Sequence, residues 1–239
     1  MSAREPSYFA KCACGKFCAE LYGEPFLMGG ANCYCNDCVA ACYYCDDKAR
    51  KEGKTNISMR CADYQGAGAA ISCWLLDNLR ITSGKDQLRG FKMSAKSPLC
   101  RTYTACCCTP MIYIGQKFAP RWRAFNLNCV TRASDGQPLK PTEMSNVMGD
   151  FALKEAWDQI PAGQPKYKMI PWGLFPKVLA VIFLPFLFPG STVKVLEEDR
   201  AVPGMFIDAA MVTEVVSAET YVAAGVRVPK ALLEDKKGK

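Results

Sequence analysis

The stretch Arg101-Thr-Tyr-Thr-Ala-Cys-Cys-Cys-Thr-Pro-Met-Ile-Tyr-Ile114 holds two short runs rich in β-branched and aromatic residues. Between them lies the cysteine cluster Cys106-Cys107-Cys108-Thr109-Pro110. Each flanking run has the length and composition of a short strand. Working outward, Ile71-Ser-Cys-Trp-Leu-Leu76, Leu79-Arg-Ile-Thr82 and Arg123-Ala-Phe-Asn-Leu127 read the same way. Ser83-Gly84, Ser97-Pro98 and Ala119-Pro120 supply the breaks between them. Regular short strands with little helical periodicity predict a mainly β module over residues 7–132. Its one expected helix is short, Val39-Ala-Ala-Cys-Tyr-Tyr-Cys45.

Beyond the module, Ser134-Asp-Gly-Gln-Pro-Leu-Lys-Pro141 has the composition of a linker, placed over residues 133–142. Residues 143–239 then read as an irregular or mixed C-terminal extension, with a helix expected between Glu143 and Ile160. The most apolar segment is Val178-Leu-Ala-Val-Ile-Phe-Leu-Pro-Phe-Leu-Phe188, interrupted by Pro185 and bracketed by Pro176 and Pro189. A membrane-crossing helix needs about 20 apolar residues, so residues 178–188 are too short to span a bilayer. A buried strand, a docking surface for a protein partner and a membrane-surface contact are the three readings of this segment.

Composition narrows the chemistry. The 239 residues include 15 Cys and no His, half are apolar, and the formal charge is +7. Without histidine there is no Ser-His-Asp triad, no Cys-His dyad and no HExxH zinc site. A metal must therefore be held by thiolate or carboxylate. The basic residues Arg227, Lys230, Lys236, Lys237 and Lys239 gather near the C-terminus without interleaved aromatics, so no nucleic-acid partner is expected. The opening Met1-Ser-Ala-Arg-Glu-Pro6 has no apolar stretch of signal-peptide type, which makes the cytoplasm the expected compartment. In a reducing compartment, cysteines are better read as thiols and metal ligands than as disulfides.

Three cysteine groups carry that reading: Cys12-Ala-Cys14-Gly15, Cys33-Tyr-Cys35-Asn-Asp-Cys38, and Cys106-Cys107-Cys108 with Cys100 upstream. Zinc takes thiolate sulfur in a tetrahedron at about 2.3 Å. Cysteines one or two positions apart can grip one ion, and a distant second pair closes the shell and cross-links the fold. Four protein ligands make a structural site, while three leave a position for water or substrate. Cys33, Cys35 and Cys38 form a compact trio, and Cys12 with Cys14 form a pair awaiting a partner pair.

In this order the motifs resemble the glutathione-dependent formaldehyde-activating enzyme family, also called the centromere-protein-V family. That family reads C-x-C-G, then C-x-C-x-x-C, then an aromatic residue followed by C-x-x-C-G-T-P. The resemblance covers roughly residues 8–132. It implies a zinc-binding folded β-sheet module in which Cys12, Cys14 and Cys107 are structural ligands and Cys33, Cys35 and Cys38 hold a reactive zinc. It further implies a carbon–sulfur lyase acting on an adduct of glutathione, the co-substrate, with a small aldehyde such as formaldehyde. S-hydroxymethylglutathione is such an adduct. The third motif departs from the pattern. Aligned on Thr109-Pro110, Cys108 replaces the family glycine and Thr104 stands where the first cysteine belongs. Either Cys106 or Cys100 substitutes for the missing ligand, giving two zinc ions, or the structural site is lost and one remains.

Several residues near the trio have competing readings. Three thiolates on one zinc carry a net negative charge, and Arg101, Arg121 and Arg123 are candidates to offset it or ordinary surface strand residues. Cys42 and Cys45 share a helix face with Cys38 and either add a fourth thiolate or pack as small apolar groups. Asp37 either orients a bound water or caps the following helix. The alternative to an enzyme is a non-catalytic, zinc-stabilised interaction module that uses its C-terminal extension.

Overall fold

The computed structural model describes residues 5–75, 78–97, 99–115, 122–140, 144–174, 176 and 212–234. The apolar segment 178–188 and Arg121 lie outside the described residues. The chain is mainly β, as the sequence predicts. Four strands, β1 (Tyr8–Lys11), β2 (Cys18–Leu21), β5 (Leu79–Ser83) and β10 (Val130–Arg132), form a small antiparallel sheet in the order β10-β1-β2-β5. The second sheet has eight strands: β3 (Phe26–Cys33), β4 (Ala69–Leu75), β6 (Leu88–Lys92), β7 (Leu99–Thr104), β8 (Pro110–Gly115), β9 (Trp122–Asn126), β11 (Met144–Val147) and β12 (Val212–Val215). Their order is β11-β3-β4-β9-β8-β7-β6-β12.

Alternation along the strands of the large sheet sends side chains into two separate layers. Trp74, Phe125, Leu88 and Met111 join Phe17, Ala19 and Leu21 of the small sheet in one buried cluster. That core holds the two sheets together, and truncating a fully buried Trp such as Trp74 to Ala costs about 3–5 kcal/mol. On the other face, Phe91, Tyr103, Tyr113 and Ala124 pack beneath the helix α1 (Asn36–Lys51) and the C-terminal residues. Strand β7 is buried from Cys100 to Thr104 because both of its faces are covered.

The helix α1 runs well past the expected Val39–Cys45. Its buried stripe, Cys38, Val39, Ala41, Cys42, Cys45 and Ala49, follows the three-and-four spacing of a helix face. Its last turns are polar and solvated, and they stay helical through ion pairs of Asp47 with Arg50 and Lys51 and of Lys48 with Glu52. The helix stops at Gly53, whose φ is +63°. There the N–H of Lys54 bonds Ala49 O and that of Gly53 bonds Arg50 O, a Schellman ending.

The stretch read as a linker folds back on β10, with Gly136 N–H on Arg132 O and Leu139 N–H on Val130 O. The residues set apart as an extension supply both edge strands of the large sheet. Strand β11 pairs in parallel with β3, and β12 pairs in parallel with β6. Where one helix was expected between Glu143 and Ile160, the chain forms β11, a single 3-10 turn at Gly149–Phe151 and the short helix α2 (Lys154–Asp158). After β12 come two short helices, α3 (Ala218–Ala223) and α4 (Lys230–Glu234), with Tyr221 and Leu232 in the layer beneath α1. Among the described residues no helix is long and apolar enough to cross a membrane.

Candidate metal centres

The first cysteine group gathers four thiols. Cys12, Cys14, Cys106 and Cys107 have sulfur atoms within 4.8 Å of one another. The Sγ separations are 3.6 Å for Cys12–Cys14, 3.8 Å for Cys12–Cys106 and 3.9 Å for Cys106–Cys107. Zinc–sulfur bonds of about 2.3 Å at tetrahedral angles place their sulfurs about 3.8 Å apart, so this donor set fits such an ion. A disulfide would need about 2.05 Å. Of the candidates left open by the sequence, Cys106 joins the group and Cys100 does not. Cys100 is buried with its sulfur 3.5 Å from Arg101 O.

Thr104 places Oγ1 3.2 Å from Cys107 Sγ, and Thr109 Oγ1 lies 3.1 Å from the same sulfur. Burial raises the Cys107 pKa, but these hydroxyls and the backbone N–H groups of Cys14 and Thr109 outweigh it and lower the thiol to about 6. Burial raises Cys12, and it leads the causes that push Cys106 up to about 12. The Phe17 N–H points at Cys12 Sγ at 3.3 Å. The sequence singled out Thr104 as a missing ligand; its contact with a neighbouring sulfur emerges only from the fold.

The second group gathers three thiols, Cys33, Cys35 and Cys38, again within 4.8 Å. Cys33 ends β3 and Cys35 is the extended residue before α1, with φ −64° and ψ 149°. The N–H groups of Cys38 and Val39 return to Cys35 O at 2.9 and 3.1 Å. The sulfurs thus collect where a 16-residue helix presents its positive end, a place that favours thiolate. Cys33 and Cys35 Sγ are 3.5 Å apart. In the metal-free protein all three thiols are pushed up to about 12. For Cys33 the leading cause is its contact with Cys35, and for Cys38 its contact with Cys33. For Cys35 the contact with Cys33 lowers the pKa, while that with Cys38 and burial raise it. Cys42 packs against this cluster without completing a four-sulfur group, and Cys45 is buried with Cys108 in the layer beneath α1.

Arg101 is no surface residue. It is 1% exposed. Cross-strand pairing runs Phe91–Arg101–Tyr113–Ala124–Cys73 across the sheet, which sets Arg101 in the middle of the face that α1 covers. Its guanidinium lies 4.9 Å from the Tyr113 ring centroid, and Tyr113 packs in one cluster with Cys33 and Cys38. Burial opposes the charge, but Cys38, Tyr113, Asp37 and Cys35 draw the Arg101 pKa above its ordinary value. Arg123 is also buried, and desolvation lowers it to about 10. Asp37 accepts the Tyr221 hydroxyl at 2.8 Å.

A cleft of about 260 Å³ opens beside α1, lined by Val39, Tyr43, Arg60, Tyr64, Gln65 and Ala224. None of the grouped sulfurs lines it.

No family profile matches the chain, and no curated protein matches it. Among solved structures, the crystal structure of a Rhodobacter sphaeroides structural-genomics protein is similar to it at 12% identity and a TM-score of 0.34. That match covers 66% of this chain and 98% of that one.

Proposed function

We propose that the chain holds one structural and one reactive zinc ion and is a carbon–sulfur lyase of the glutathione-dependent formaldehyde-activating type. Its substrate on this reading is a thiol–aldehyde adduct such as S-hydroxymethylglutathione. The observation that carries the proposal is the unequal size of the two sulfur groups, four thiols in one and three in the other. Four thiolates fill a tetrahedron, and three leave a position open. Cys12, Cys14, Cys106 and Cys107 are then the structural ligands, and Cys33, Cys35 and Cys38 are the ligands at the reactive centre. A zinc ion bound there lowers the pKa of a substrate thiol and so supplies a thiolate near neutral pH.

The remaining contributions come from side chains. The start of α1 stabilises negative charge on the trio. Burial of Cys33 and Cys38 keeps water from two of the three sulfurs, while Cys35 stays partly accessible. In the lyase direction the carbon–sulfur bond of the hemithioacetal breaks and its electron pair stays on sulfur. The hydroxyl proton departs as the aldehyde carbonyl forms. The second reading, a non-catalytic zinc-stabilised interaction module, is favoured by the Tyr221 hydroxyl on Asp37, which ties the C-terminal residues to the first turn of α1.

Metal content per chain, measured on reduced, chelator-free protein, separates the two. The wild type is expected to carry about two zinc ions and Cys35→Ala about one while remaining folded. The wild type should then accelerate formation or breakdown of S-hydroxymethylglutathione, followed by proton NMR, and Cys35→Ala should not. Two ions without acceleration favour the interaction module. A single ion in the wild type, retained in Cys35→Ala, rejects a metal at the trio.

A further inference from the structure

A guanidinium buried in the middle of a sheet needs compensating negative charge, because an isolated buried ion costs far more than a fold of this size can absorb. Arg101 is not part of any ion pair among the described residues, and its Nε and Nη1 are buried without a hydrogen-bond partner. Nearby, Asp37 is already engaged by Tyr221, and Tyr113 gives its hydroxyl to Met59 Sδ at 2.8 Å. The groups whose negative charge acts on Arg101 are Asp37 and the sulfurs of Cys38 and Cys35.

Charge counting gives that pairing a consequence. A divalent ion held by three thiolates has a single net negative charge, and an anionic fourth ligand makes it doubly negative. In a buried site the second charge is strongly opposed. A fixed guanidinium on the same covered face offsets one negative charge, so the charge brought by an anionic ligand is opposed less strongly than it would be without Arg101.

We propose that Arg101 is the positioning residue that makes the Cys33–Cys35–Cys38 centre selective for a monoanionic ligand over a neutral one. This rests on the reading of the trio as a three-thiolate metal site. The supporting geometry is the cross-strand neighbourhood of Arg101 and Tyr113, the packing of Tyr113 against Cys33 and Cys38, and the two unpartnered N–H groups of the guanidinium. Lysine at this position keeps the charge but loses the planar fork of donors, and methionine keeps much of the bulk and loses both.

The test uses cobalt(II) in place of zinc and follows the visible absorption of the protein as thiocyanate, a monoanion, and imidazole, a neutral ligand, are added separately. The four-thiolate centre has no open position and stays silent. Wild-type protein should take two cobalt ions and bind thiocyanate. Arg101→Met should bind thiocyanate about tenfold more weakly, equivalent to about 1.4 kcal/mol, with imidazole affinity changed less than about twofold. Arg101→Lys should fall between them. Equal loss of both ligands in Arg101→Met means a purely structural role and overturns the proposal, as does no loss of either. If Arg101→Met does not fold, Arg101→Gln and Arg101→Lys carry the same comparison with the same criteria. Wild-type protein that takes only one cobalt ion, at the four-thiolate group, rejects the trio as a metal site and the role of Arg101 with it.

Discussion

Tyr221 of α3 donates its hydroxyl to Asp37 at 2.8 Å, although 184 positions separate them in the chain. The same hydroxyl lies 3.3 Å from Met93 O, and Tyr221 is fully buried. The C-terminal residues are thereby fastened at Asp37 to the first turn of α1, between Cys35 and Cys38. Tyr221→Phe keeps the ring and removes the donor, leaving an Asp37 oxygen without its partner. The expected cost is about 1–3 kcal/mol, the range for leaving a buried hydrogen-bonding group without its partner. Chemical denaturation measures it, and hydrogen exchange over 212–234 should rise at the same time. Unchanged exchange in that segment would contradict the fastening.

A second prediction concerns the four-thiol group. Cys106→Ser should lower the metal content by about one ion per chain and destabilise the protein, since a structural zinc site contributes directly to folding free energy. Thr104 Oγ1 already sits 3.2 Å from Cys107 Sγ, so a sulfur at position 104 begins close to the same centre. Thr104→Cys added to Cys106→Ser should restore the second ion. Failure of the double variant to regain metal, with the fold intact, would show that position 104 cannot reach the centre.

The strands β4, β5, β7, β8 and β9 and the cysteine groups were legible because β-branched runs and close sulfur spacing are local signals. The edge strands β11 and β12 were not. Each is only four residues long and takes its identity from a parallel neighbour far away in sequence, β3 or β6. The end of α1 was misjudged because Asp46-Asp-Lys-Ala-Arg-Lys51 has the composition of a charged connection, whereas spacing of three and four turns those charges into helix-stabilising pairs. Arg101 looked like a solvated strand residue, since a single strand gives no sign that a helix covers its second face. The choice of Cys106 over Cys100 depends on the turn after β7, which swings position 106 toward Cys12 and leaves Cys100 in the sheet.

The metal-free protein should lose stability in alkali. Cys33, Cys35 and Cys38 are raised from 9.0 to about 12 in the folded state. Between those values the folded chain keeps protons that the unfolded chain releases. Stability therefore falls as pH rises from about 9 to about 12, and the contribution is fully present below pH 9. Cys107 has the opposite sign: lowered to about 6, it contributes stability above pH 9 that is lost as pH falls through 6. Urea melts in chelator across pH 5–12 should show both flanks. Cys107→Ser should remove the acid flank and leave the alkaline one, and loss of both together would contradict the separate assignments.

The last prediction turns on backbone conformation. Cys108 has φ 55°, in the left-handed region that glycine adopts most readily. Its N–H closes the cysteine turn on Thr104 O at 2.7 Å, and its side chain is buried with Sγ 3.5 Å from Glu52 Oε2. An L residue in this conformation costs about 1–2 kcal/mol, which the buried thiol offsets in part. Cys108→Ala and Cys108→Gly both lose the sulfur, so their difference isolates the backbone. At an ordinary position within a strand or helix, alanine is the more stable of the two by about 0.5–1 kcal/mol. Here the order should reverse, with Cys108→Gly more stable than Cys108→Ala by about 1 kcal/mol. Paired urea melts of the two variants decide it. Alanine at or above glycine would mean that residue 108 does not hold a left-handed backbone in solution, and that the cysteine turn closes some other way.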